Sequence, residues 1–125
     1  MIDTHTLIWY EADDPKLSAR ANLAVSDASN DCLVSVATLW ELAIKTGIGR
    51  LELSVPFHEL VRERIRADRL SILPITGEHL IAVADLPMHH RDPFDRMLVA
   101  QALVERIPIV SVDAALERYG VERIW

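Results

Sequence analysis

At 125 residues the chain has room for one domain around one core, expected to run over residues 1–125. Half of its residues are apolar, which supports a packed interior and excludes a disordered polar chain. Thirteen Lys and Arg against 19 Asp and Glu leave a net charge of −6; that excludes phosphate binding by a wholly basic surface, but not a local cationic patch or a bound metal.

Met1-Ile2 reads as the stub of a first strand, and Ser18 as the cap of a helix running to about residue 28. Asp31-Cys32-Leu33-Val34-Ser35 reads as a buried strand. After it, Val36, Leu39, Trp40, Ala43 and Ile44 form the apolar stripe of a helix that stops at Gly47. Pro56 suits the first position of a further helix carrying Leu60, Val61 and Ile65. A strand at Ser71-Ile72-Leu73-Pro74-Ile75 follows, then helices over 78–86 and 93–105. Next come a strand at Pro108-Ile109-Val110-Ser111-Val112, a short helix over 114–119 and a short last strand over 121–125. The stretch 94–104 is apolar nearly all round, so its helix is expected to lie between the sheet and another surface. Strands alternating with helices, with no repeat or linker between them, predict an α/β sandwich around a mostly parallel sheet.

The remaining composition speaks to location. The one cysteine, Cys32, excludes an internal disulfide, fits a reducing compartment and reads as a buried strand residue. Apolar runs such as Met97-Leu98-Val99-Ala100 are far short of a membrane span, and the start shows no signal-peptide pattern. The expectation is a soluble, cytoplasmic protein.

In an open parallel sheet ligands bind beyond the carboxyl ends of the strands, which directs attention to the acids there. Asp3 follows the first strand stub and Asp113 follows Val110-Ser111-Val112; Glu41 lies on the flank of the helix after Ser35, and Asp92 and Asp95 bracket the start of the apolar helix. Carboxylates gathered at one edge repel one another and acquire raised pKa values unless a cation neutralises them. Oxygen ligands suit Mg²⁺ or Mn²⁺, and no Cys/His set for zinc is present. Such a site fits phosphoryl chemistry.

Each acid also has a plainer reading. Asp3 and Asp113 serve equally as caps of the helices after their strands. Asp92-Pro93-Phe94-Asp95 reads as a helix start with Asp92 as cap, Pro93 at the first position and Asp95 in place of a capping-box Glu. Glu41 alone reads as a solvated helix flank. Their coincidence at one edge favours a site.

Four blocks of this sequence resemble the PIN domain, and among PIN domains the VapC-type toxins of type II toxin–antitoxin systems. They are Asp3-Thr4-His5-Thr6-Leu7-Ile8-Trp9, Ser35-Val36-Ala37-Thr38-Leu39-Trp40-Glu41-Leu42-Ala43-Ile44-Lys45, His89-His90-Arg91-Asp92-Pro93-Phe94-Asp95-Arg96 and Val110-Ser111-Val112-Asp113. The resemblance covers nearly the whole chain, and the third block is the most specific. Members carry several apolar residues before the first aspartate; here only Met1-Ile2 precede Asp3, so either the start codon is misassigned, the start is trimmed, or the first strand is short.

The resemblance implies a three-layer sandwich with a mostly parallel sheet of four to five strands flanked by helices. It implies a Mg²⁺-dependent ribonuclease, with Mn²⁺ as substitute, that leaves 5′-phosphate and 3′-hydroxyl ends. By position, Asp3, Glu41, Asp95 and Asp113 match the family's catalytic, metal-binding acids, and Asp92 is an auxiliary acid or a helix cap. It further implies an RNA substrate, a cognate VapB-like antitoxin and a homodimer, to which the apolar stretch 94–104 is suited. Backbone contact with RNA would need rim cations, for which Arg91, Arg96 and Lys45 are the candidates. The run Arg62, Arg64, Arg66 and Arg69 is interleaved with Glu59, Glu63 and Asp68 and reads rather as an ion-paired, solvated face. His89 and His90 are expected in supporting or surface roles, His5 as an orienter of Asp3 or a packed helix-start residue, and Trp9 and Trp40 in the core or lining an antitoxin groove.

Two other classes compete. A PIN-like binding module without catalysis differs only in activity, and the presence of all the acids counts against it. A receiver-like signalling domain would need a phosphoacceptor aspartate at the end of a middle strand, where this chain has Ser35 and Ile75.

Overall fold

The computed structural model describes residues Met1–Trp125. The helices are α1 (Thr4–Glu11), α2 (Ala19–Ser26), α3 (Val36–Gly47), α4 (Phe57–Glu59), α5 (Ile65–Ala67), α6 (Gly77–Asp85) and α7 (Pro93–Glu105). A π-helical turn, Leu60–Arg64, joins α4 to α5, and a 3-10 helix, Ala114–Tyr119, lies near the end of the chain. The strands are β1 (Leu33–Ser35), β2 (Ser71–Leu73), β3 (Ile109–Val110) and β4 (Arg123–Ile124).

Two parallel pairs, β1 with β2 and β3 with β4, are joined through a single residue, Ile2, which bridges Val34 on one side and Val110 on the other, both in parallel. The predicted first-strand stub is therefore the middle of the sheet. Its bonds are ordinary: the Ile2 amide donates to Leu33 O at 2.9 Å, Val110 N to Met1 O at 2.8 Å and Asp3 N to Val110 O at 3.1 Å. The spatial order is β2, β1, Ile2, β3, β4, so the chain winds outward from Ile2 to one edge, then crosses to build the other. That reversal is the topological switch point of a doubly wound sheet, where ligands bind beyond the strand ends.

Alternation along the strands makes the layers. Met1 and Ile109 belong to one apolar cluster with Leu98, Val99, Ala102 and Leu116, while their neighbours Ile2 and Val110 belong to the other with Leu7, Val25, Leu42 and Leu60. Helices α1 and α2 thus cover one face, and α7 and the 3-10 helix the other. Helix α7 lies between the sheet, where Leu98, Val99 and Ala102 share a cluster with Met1 and Ile109, and the helices α6 and α3. Most of its apolar faces are used inside the chain, leaving Leu103 and Val104 exposed. No helix is long and apolar enough to cross a membrane.

Some expected placements change. Trp40 is 59% exposed, with its ring edge-on to Phe94 at 5.5 Å, because it stands on the outer side of α3. His5 is exposed and lies against Trp9 rather than against Asp3. Of the arginine run only Arg64 closes an ion pair, with Glu59; Arg62 and Arg66 instead line a groove of about 590 Å³ beside the β2 edge.

Candidate active site

Three of the candidate acids cap helix starts. Asp3 caps α1, its Oδ1 accepting from Thr6 N at 2.6 Å, and is buried. Asp113 caps the 3-10 helix, its Oδ1 accepting from Ala115 N at 2.8 Å. Asp92 caps α7 through Phe94 N at 2.8 Å and is exposed. A short side chain that closes the amide at the start of a helix also stands where the strand has just ended. Capping and membership of the strand-end cluster are therefore compatible for Asp3 and Asp113. Asp92 fits the cap role of its two sequence readings.

Glu41 is 6% exposed, not a solvated flank. Its Oε2 accepts from Thr4 Oγ1 at 2.5 Å, which ties α3 to the residue after Asp3, and its Oε1 is ion-paired with Lys45 one turn on. Fully buried Gln101 braces the neighbouring strand ends: it accepts from Ser35 Oγ at 2.5 Å and donates to Pro74 O at 3.1 Å.

Asp95, one turn into α7, forms no capping box with Asp92. Burial, and then the charges of Asp92, Glu41 and Asp113, push its carboxyl from 3.8 to about 6, against an opposing pull from His90. Asp113 goes the other way. Burial raises it, but the Ala115 amide, His90 and Arg123 outweigh burial and hold it below its ordinary value. One edge thus holds a carboxylate with partners that favour its charge and one without them, and a cation would relieve the second. The all-oxygen donor set fits Mg²⁺ or Mn²⁺ by chemistry. In this conformation, however, no three of the Asp, Glu, His and Cys side chains close on a common point as metal ligands.

A shifted carboxyl is not in itself a mark of the site. Glu11, at the far end of α1, is raised to about 7 by burial and by the adjacent Asp68.

The cationic candidates separate. Arg96 is buried, and its guanidinium donates to Val83 O, Leu86 O and Pro87 O at 2.7–3.0 Å. It satisfies carbonyls at the end of α6 and is not a rim cation, which corrects its reading as an RNA contact. Arg91 is exposed beside Asp92, and Lys45 is held against Glu41.

Four supporting side chains escaped sequence reasoning: Thr4, Gln101, Tyr119 and, in its particular contacts, His90. Gln101 had a signal, a polar residue within an apolar helix. Tyr119 had none, because it meets His90 only through the fold.

The PIN domain family model matches residues 1–122, and the chain belongs to the PIN domain family. Ribonuclease VapC22 of Mycobacterium tuberculosis (strain ATCC 25618 / H37Rv) is 25% identical over 129 aligned positions, covering 100% of this chain and 97% of that protein.

Proposed function

We propose that this PIN domain is a VapC-type toxin, a metal-dependent ribonuclease that hydrolyses RNA phosphodiester bonds and is restrained by a cognate VapB-like antitoxin. The observation that supports the reading is that Glu41, Asp92 and Asp113, from separate elements, lie near enough to Asp95 for their charges to add to burial in raising its carboxyl to about 6. Full-length similarity to a ribonuclease supports it.

Asp3, Glu41, Asp95 and Asp113 are the residues that would hold Mg²⁺, or Mn²⁺ in its place. Such an ion would supply neutralisation of charge developing on the phosphodiester and a lowered pKa for a bound water. The chain supplies the remainder. Helix starts fix Asp3 and Asp113, Thr4 orients Glu41, and buried Gln101 keeps the strand ends in register. Arg91, exposed beside Asp92, would meet backbone phosphates, as would Lys45 where RNA draws it from Glu41. A homodimer in the cytoplasm is part of the same reading.

The test is cleavage of a mixed cellular RNA pool by the purified chain, free of antitoxin, with Mg²⁺, with chelator and with Asp95→Asn. Discrete cuts that need the ion and vanish in the variant are expected. Cuts shared by the variant would mean contamination, and no cuts with any divalent ion would favour the binding-module reading.

A further inference from the structure

We propose that His90 and Tyr119 form a positioning pair that orients the Asp113 carboxylate and sets its spacing from Asp95. The inference rests on the reading of Asp113 as a site acid. His90 Nε2 lies 2.8 Å from Asp113 Oδ2. An ionised carboxylate only accepts hydrogen bonds, so Nε2 carries the hydrogen. In the neutral ring Nδ1 then offers a lone pair, and the Tyr119 hydroxyl stands 3.3 Å from it as donor. The same hydroxyl oxygen accepts from the His90 amide at 2.7 Å. Tyr119 thus holds His90 at two points and selects the tautomer that presents N–H to Asp113.

Packing supports the arrangement. The His90 side chain is 11% exposed and so held in place, while the Asp113 side chain it meets stays 43% open to a further partner. Its ring stacks on Tyr119 at 5.5 Å and 22°, and His89 meets the same tyrosine edge-on at 4.8 Å. With Ala115 N on Oδ1 and His90 on Oδ2, both Asp113 oxygens are fixed, and each keeps lone-pair capacity for a further partner.

The pair also links two elements. His90 lies in the segment between α6 and α7 that leads to Asp92 and Asp95, whereas Asp113 and Tyr119 lie at the start and end of the 3-10 helix. Arg96 pins the beginning of that segment through Leu86 O and Pro87 O. The His90–Tyr119 contact closes its other end onto the 3-10 helix. The distance across the site between Asp95 and Asp113 is thereby set from outside the acids themselves.

The experiment uses the full chain with Tyr119→Phe, His90→Leu, the double variant and His90→Gln, which keeps an N–H donor. Mn²⁺ binding is measured by electron paramagnetic resonance without RNA, beside kcat, KM and thermal melting. Tyr119→Phe keeps the stacked ring but removes the acceptor of the His90 amide, so its melting temperature should fall slightly, and less than that of His90→Leu. Tyr119→Phe and His90→Leu should each weaken Mn²⁺ binding by about 10–100-fold and lower kcat more than they raise KM. The double variant should be no worse than His90→Leu, and His90→Gln should recover part of the loss. Wild-type Mn²⁺ affinity in Tyr119→Phe, additive losses, or losses that follow melting temperature would each overturn the pair. A wild-type chain that neither binds Mn²⁺ nor cuts RNA would overturn the ribonuclease reading and this inference with it. Silent variants of an active chain overturn this inference alone.

Discussion

Lys45 stands one helical turn beyond Glu41 and closes an ion pair on the Oε1 of that buried carboxylate. The ammonium is a counter-charge carried by the chain itself. Lys45→Met should leave Glu41 buried and uncompensated, costing about 1–3 kcal/mol in chelator. Added Mg²⁺ should narrow the difference, because an external cation then serves the same carboxylate. Melting curves of both proteins across a Mg²⁺ series check this, and a gap indifferent to Mg²⁺ counts against Glu41 as a metal ligand.

Asp3→Asn separates the two duties of Asp3. Asparagine caps a helix as well as aspartate does, so the bond from Thr6 N survives. Stability should change by less than about 1 kcal/mol, while RNA cleavage falls to background. Asp3→Ala should also lose the cap and melt earlier, by about 1 kcal/mol. Retained cleavage in the asparagine variant would remove Asp3 from the site.

Asp95 makes stability depend on pH in a defined direction. Its folded value, about 6, lies above the unfolded 3.8, so the ionised carboxylate costs stability. That cost is absent below about pH 4, grows as pH rises, and is complete above about pH 6. In chelator, Asp95→Asn should therefore raise the melting temperature at pH 7.5, and the gain should vanish at pH 3.5. For this half-buried group the gain is about 1 kcal/mol after allowance for solvent screening, or roughly 3–5 °C. The same variant should be inactive.

Arg96 should behave as a structural residue. Arg96→Met leaves Val83 O, Leu86 O and Pro87 O without their donor and should cost about 2–3 kcal/mol. Lysine should recover little, since a single ammonium cannot reproduce the planar fork. RNA affinity of the folded protein should hold, whereas Arg91→Ala should weaken binding uniformly across sequences and flatten its salt dependence.

Much of this was legible in the residues. Ser18, Asp92 and Gly47 marked helix ends because capping is local chemistry, and α7 begins and ends where its pattern did. The acids at the strand ends followed from alternation and the geometry of parallel sheets. What escaped was set by distant partners. Glu41 looks like a helix flank until Thr4, 37 residues away, is brought against it, and Arg96 looks like a free cation until the end of α6 reaches it. Trp40 is the reverse case: a residue type that usually packs inside stands on the outer face of α3, where local pattern carries no sign of it.

The bridging role of Ile2 has a temporal consequence. Met1 N donates to Pro108 O at 2.9 Å across a separation of 107 residues, and Ile2 pairs with Val110. A chain emerges from the ribosome N-terminus first, so these residues are made long before the segment that holds them. Until residues 108–111 have been made, Asp3 has no neighbouring β3 to rest on and Asp113 does not exist. A nascent chain therefore cannot assemble the acidic edge, and any cutting by this protein begins only after nearly all of the domain has been translated.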